Sequence, residues 1–135
     1  MSASAPPTPP RRAFVVLPLA WAAFILVSTL TPANSMPPTP HWELLAFDTA
    51  AHAFVFGVLA VLATFSARRQ RWWPGLRARA FGTVLVAAIG MGAAIELLQM
   101  GMDLGRNGEW SDILSDALGV VAGSALMWFT RRFWQ

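Results

Sequence analysis

Charge is sorted along this chain into alternating zones separated by long apolar segments. Arg11 and Arg12 form the first basic zone, Arg68, Arg69, Arg71, Arg77 and Arg79 the second, and Arg131 and Arg132 the third. Glu43, Asp48, Glu96, Asp103, Glu109, Asp112 and Asp116 fill the two zones between, where Arg106 is the one basic residue. A chain patterned this way threads a bilayer repeatedly, and the positive-inside bias puts all three arginine zones in the cytoplasm. The expected fold is an all-α integral membrane protein with four transmembrane helices, N-in and C-in.

About 20 helical residues rising about 1.5 Å each cross the roughly 30 Å hydrocarbon core, and four segments meet this requirement: about 13–31, 47–66, 78–100 and 111–130. Together they define a membrane domain over 13–130, preceded by a Ser/Ala/Pro-rich, disordered cytoplasmic N-terminus (1–12) and followed by a short cytoplasmic tail (131–135). Arg11-Arg12-Ala13-Phe14 before an apolar run also looks like a secretion signal. The run is long for a signal and no small-x-small site closes it, so a retained first helix is expected. Prolines 32, 37, 38 and 40 break the first outer loop, with Trp42 as an interface anchor and His41 on the surface; Trp73-Pro74-Gly75 turns the inner loop. Gly101, Gly105 and Gly108 mark a tight second outer loop.

Composition removes several classes of function. With 56% hydrophobic and 13% charged residues and a mean hydropathy of +0.50, the chain is too apolar for a soluble domain of its length. A pI near 11.4 would suggest nucleic acid in a soluble protein. Here the arginines flank apolar segments beside Trp72, Trp73, Trp128 and Trp134, the pattern of a lipid interface, and no nucleic-acid partner is expected. There is no cysteine for a disulfide, thiolate or sulfur-bound metal, and no lysine or tyrosine for Schiff-base or phenolate chemistry.

The polar residues inside the apolar segments carry the functional signal. Asp48 and His52 stand four apart on the second helix, Glu96 and Gln99 three apart on the third, and Asp112 and Asp116 four apart on the fourth, with Arg106 in the loop between the last two. Each pair shares a helix face, and all lie at the depth of the outer leaflet. They form a candidate ligand-binding cluster, because ionisable groups within a bilayer face a protein interior or a wet cavity. Asp48 and Asp112, near helix N-termini, are also placed as caps, with Ser111 as a further cap and Ser115 as a back-bonded helical serine. Glu96 is near a C-terminus, where the dipole disfavours an anion, so it needs a cation, a shared proton or a metal, and Arg106 and His52 are within reach. Gly119 and Gly123 extend the Asp112/Asp116 stripe as a GxxxG packing surface, and Gly92 offers a small position before Glu96.

These residues resemble the VanZ-like membrane proteins. The resemblance rests on Asp48-Thr-Ala-Ala-His52, Glu96-Leu-Leu-Gln99, Arg106, and Asp112-Ile-Leu-Ser-Asp116-Ala-Leu-Gly119-Val-Val-Ala-Gly123. Thr49 stands where the family pattern has Lys, and Asp116 where it has Asn. The resemblance implies a small helical bundle of the bacterial cell envelope, in the cytoplasmic (inner) membrane, linked to tolerance of the glycopeptide teicoplanin. The favoured reading is a binding or envelope-modulating module, rather than an enzyme, that recognises a lipid headgroup, a cell-wall precursor or an amphiphilic drug. Arg106 would contact phosphate or carboxylate through its planar fork. The alternative is an intramembrane hydrolase or transferase acting on a lipid-linked phosphate or glycan, with paired carboxylates as acid and base. No cofactor and no metal are expected, since no HExxH-type spacing occurs; His52, Glu96, Asp112 and Asp116 are the side chains on offer as ligands.

Single-cysteine labelling with a membrane-impermeant reagent tests the orientation cleanly, because the chain has no native cysteine. Positions 35 and 107 should label in intact cells and positions 70 and 135 should not; labelling of the inner positions contradicts the arginine-based topology.

Overall fold

The computed structural model describes residues 13–35, 37–38, 47–102 and 109–135. Its elements are α1 (Ala13–Leu30), a single 3-10 turn (Ala33–Ser35), α2 (Phe47–Arg69), α3 (Pro74–Ala78), α4 (Ala80–Met102) and α5 (Trp110–Trp134). The described residues are all helix and connections, as expected. Three helices, α2, α4 and α5, are long and apolar enough to cross a membrane, and α1, at 18 residues the shortest of the four, carries an apolar stretch over Val15–Leu30. Large apolar side chains point outward on several helices, among them Val86, Leu97, Leu118 and Phe129. Outward apolar faces are costly in water and suit lipid.

The helix ends depart from the expected boundaries at the arginine end of the bundle. α2 runs to Arg69 instead of Ser66, and α5 runs to Trp134, so Arg131 and Arg132 belong to its last turn and not to a separate tail. Cations in a last turn complement the helix dipole while their apolar stems lie along the helix, which extends both elements past the hydrophobic segment. The third long helix begins at Ala80 and not at 78, preceded by α3, which Pro74 opens at a position where its missing N–H costs nothing. Gln70, by sequence a loop residue, is buried and stitches this turn. Its Oε1 accepts from the Trp73 backbone N–H at 2.8 Å, and its Nε2 donates to Trp73 O at 2.8 Å and Ala67 O at 3.2 Å. The exposed Arg71 is therefore the accessible labelling position in this turn. Arg68 Nη2 donates to Gln135 Oε1 at 2.8 Å and Arg69 Nη1 to Trp134 O at 3.1 Å, which ties the ends of α2 and α5 together.

α2 is the central helix. It packs against α1, α4 and, most extensively, α5. The α2–α5 contact is parallel and in step: Ser115 Oγ donates to Thr49 O at 2.7 Å, Gly119 lies on Ala53, and Gly123 lies on Gly57. A Cβ on Gly119 would sit 2.1 Å from Ala53 O, and one on Gly123 2.4 Å from Gly57 O. The expected GxxxG surface is thus a true backbone-to-backbone contact, and its partner stripe is Thr49-Ala53-Gly57. α4 runs antiparallel against α5, with Gly92 on Asp116 near one end and the Phe81 and Trp128 rings 5.3 Å apart near the other. α1 is fixed to α2 where Trp21 Nε1–H donates to Val55 O at 2.9 Å. Ile25, Phe56, Leu59, Val84, Ile95 and Val120 fill the core between the helices.

Gly119→Ala should destabilise the bundle by about 1–3 kcal/mol or more, because the clash is with backbone and cannot be relieved by a rotamer change. Gly82→Ala and Gly90→Ala, whose added methyl meets nothing within 4 Å, should be neutral or stabilising by up to about 1 kcal/mol. Unfolding in detergent followed by circular dichroism measures both; equal effects at positions 119 and 82 would contradict the packing described.

Candidate functional site

The parallel contact of α2 with α5 delivers His52 and Asp116 to each other at the end of the bundle opposite the described arginines. His52 Nδ1 lies 2.9 Å from Asp116 Oδ1. With Asp116 ionised, the carboxylate can only accept, so Nδ1 carries the shared proton. α4, packed against both helices, adds Glu96, whose Oε1 is 3.9 Å from the same Nδ1. All three groups are deeply placed: Glu96 is 0% exposed, Asp116 1% and His52 9%. Gly92, one turn before Glu96, makes room for the centre, since a Cβ there would stand 2.7 Å from Asp116 Oδ2.

Glu96 is the unusual member. Among the described residues neither of its carboxyl oxygens has a hydrogen-bond partner, and Asp116 Oδ2 has none either. The Glu109 backbone amide, at the start of α5, acts on the Glu96 carboxyl electrostatically but lies outside hydrogen-bond geometry. One histidine thus serves two buried carboxyl groups, with its hydrogen bond committed to Asp116. A buried anion left so poorly compensated costs several kcal/mol.

The remaining expected members take other places. Asp112 is half-buried one turn before Asp116 and acts on His52 and Glu96 by charge. Asp48, one turn nearer the end of α2 than His52, is exposed and stays outside the buried centre. Gln99 is buried, but its Nε2 donates to Thr29 O at 2.7 Å, so it ties α4 to α1. Arg106, with the expected Arg106–Glu96 pair, lies outside the described residues, as do His41 and Trp42.

Two serine assignments change. Ser115, read from sequence as bonded back along its own helix, donates instead to α2 across the contact with α5. Ser111, read as a cap, donates to Glu109 Oε2 at 3.0 Å, and Glu109 is the N-cap residue, without a side-chain cap bond. Thr49 and Ala53 were invisible as contact residues because the sequence does not say which face of α2 meets α5. Their small size at the spacing of Gly57 was the available signal.

A family model described as VanZ/LLP1 matches residues 13–131. The chain belongs to that family and is a membrane protein. Neither the curated proteins nor the solved structures yield a match.

Proposed function

We propose that this VanZ/LLP1 protein is a four-span protein of the cytoplasmic membrane, both termini inside, whose outward-facing polar centre binds an envelope ligand and so modulates glycopeptide tolerance. The ligand is a lipid headgroup, a cell-wall precursor or an amphiphilic drug such as teicoplanin. One observation carries this reading: Glu96 is fully buried with both oxygens unpartnered, beside a formed His52–Asp116 pair. Ionisable groups kept in a membrane helix without structural compensation mark functional sites. Amine, amide or hydroxyl donors of a ligand would supply the hydrogen bonds that Glu96 and Asp116 Oδ2 lack. Arg106, in the sequence between α4 and α5, provides the complementary contact to phosphate or carboxylate.

A second reading, an intramembrane hydrolase or transferase acting on a lipid-linked phosphate or glycan, draws on the same geometry. A carboxylate-oriented histidine beside a second carboxyl group is an arrangement suited to general acid–base work. Ser115 is committed to the Thr49 carbonyl and offers no nucleophile. Release of a product from a lipid-linked substrate would favour this reading, and ligand protection without turnover would favour binding.

The test is teicoplanin tolerance on overproduction, with protein level and thermal stability measured alongside. Because His52 keeps Asp116 as its partner, Glu96→Gln should fold to within about 1 kcal/mol of wild type yet lose the phenotype. Arg106→Ala should do the same, and Arg106→Lys should be clearly impaired, since it retains charge and loses the bidentate fork. Full activity of folded Glu96→Gln and Arg106→Ala proteins in every envelope-stress assay where wild type acts would end the binding reading.

A further inference from the structure

We infer that His52, Glu96 and Asp116 form a binding site for one divalent transition-metal ion of the zinc class. The inference deepens the proposed function, because it concerns the same buried centre, and it departs from the expectation of no metal drawn from motif spacing.

One donor atom from each of the three side chains lies within 4.8 Å of the other two. A tetrahedral ion with bonds of roughly 2.0–2.2 Å to nitrogen and oxygen holds its donors about 3.4 Å apart. The observed separations of 2.9 Å from His52 Nδ1 to Asp116 Oδ1 and 3.9 Å to Glu96 Oε1 bracket that value. The donors come from three different helices, α2, α4 and α5, whose mutual packing is already set by the small-residue contacts. The site is therefore assembled by the fold, and side-chain adjustment brings the Glu96 and Asp116 donors, within 4.8 Å of each other, to that spacing. Sequence motifs such as HExxH cannot reveal a site of this kind.

The second line is independent of the spacing. Glu96 is completely buried, aimed at the His52–Asp116 pair, and its oxygens are unpartnered, as is Asp116 Oδ2. Two carboxylates and a neutral imidazole carry the charge that a divalent cation cancels. Every described arginine stands on the helices and connections at the opposite end of the bundle, so no described arginine does this. On binding, the ring adopts the tautomer with its proton on Nε2, and the Nδ1–Asp116 hydrogen bond gives way to two bonds to the ion. One imidazole and two carboxylates are a borderline-to-hard donor set that suits zinc and its first-row neighbours. Three protein ligands also leave a fourth position for a water or for an oxygen of a headgroup. Half-buried Asp112 adds negative charge near the site without belonging to the donor set.

The experiment uses the full chain, purified into nanodiscs in metal-free buffer and titrated with Zn2+ alone and with Co2+ alone. The expected result is one equivalent of either ion per chain, a Co2+ visible spectrum of low-symmetry four-coordinate type, and a rise in Tm with Zn2+. Glu96→Gln and His52→Gln should each weaken binding at least ~10–100-fold, the loss seen even for partners that only orient a ligand, while Asp112→Asn should retain one equivalent. A wild-type protein that is helical by circular dichroism and takes up neither ion overturns the proposal. So does equal uptake by wild type and a folded Glu96→Gln variant. If His52→Gln fails to fold, the wild-type Co2+ spectrum and the Glu96→Gln titration still decide. Failure of the functional reading looks different: stoichiometric metal with no effect of Arg106→Ala on any envelope phenotype rejects that reading and supports the metal site.

Discussion

The close parallel approach of α2 and α5 is the constraint on which the rest of this structure rests. Thr49, Ala53 and Gly57 on one helix meet Ser115, Gly119 and Gly123 on the other in register, with backbone touching backbone. In a bilayer, lipid tails compete for every apolar side chain, so helices associate through packing and hydrogen bonds that lipid cannot match. Removing side chains from the contact creates such packing and fixes rotation and height together. His52 immediately precedes Ala53, and Asp116 immediately follows Ser115, so the register that seats the glycines also brings the imidazole to the carboxylate. A slip of one turn would separate them by about 5.4 Å.

α4 completes the arrangement through Gly92 and Glu96. Gly92 lets Asp116 lie against the α4 backbone, and Glu96, one turn later, turns into the space beside His52. Packing alone would be served equally well by an apolar residue at position 96, since a buried unpaired carboxyl group opposes folding. Gln99 shows what a structural polar residue looks like in the same helix: its amide has a definite partner in the Thr29 carbonyl on α1. The contrast between these two side chains, three residues apart, separates a polar group that holds the bundle from one that the described residues leave without a hydrogen-bond partner.

Much of this was legible in the chain itself. Segment length and arginine placement announce long apolar helices, and i, i+4, i+7, i+11 spacing places Asp112, Asp116, Gly119 and Gly123 on one stripe. α4, by contrast, had to be placed in space before Glu96, for which the sequence offers both Arg106 and His52, could be set beside His52. Periodicity says which residues share a face and leaves open how the helix is rotated against its neighbours. That is why Asp48 shares a face with His52 yet ends exposed, and why Gln99 shares one with Glu96 yet serves α1. Gln70 was hidden for a different reason: a polar residue beside arginines reads as loop, and only the geometry of the turn before Pro74 exposes its bonds to Trp73. Family membership over residues 13–131 supports the membrane assignment and leaves the chemistry of the centre to its residues.

On the proposed function, the Glu96 carboxyl is held open for a group from outside the chain. A crystal structure of the full protein grown from a lipid mesophase, at a resolution that shows ordered water and ions, tests this directly. The expected result is a discrete density peak within bonding distance of a Glu96 oxygen and adjacent to His52 and Asp116, belonging to an ion or ligand atom. A Glu96 carboxyl satisfied entirely by protein groups, with no such peak, would contradict it.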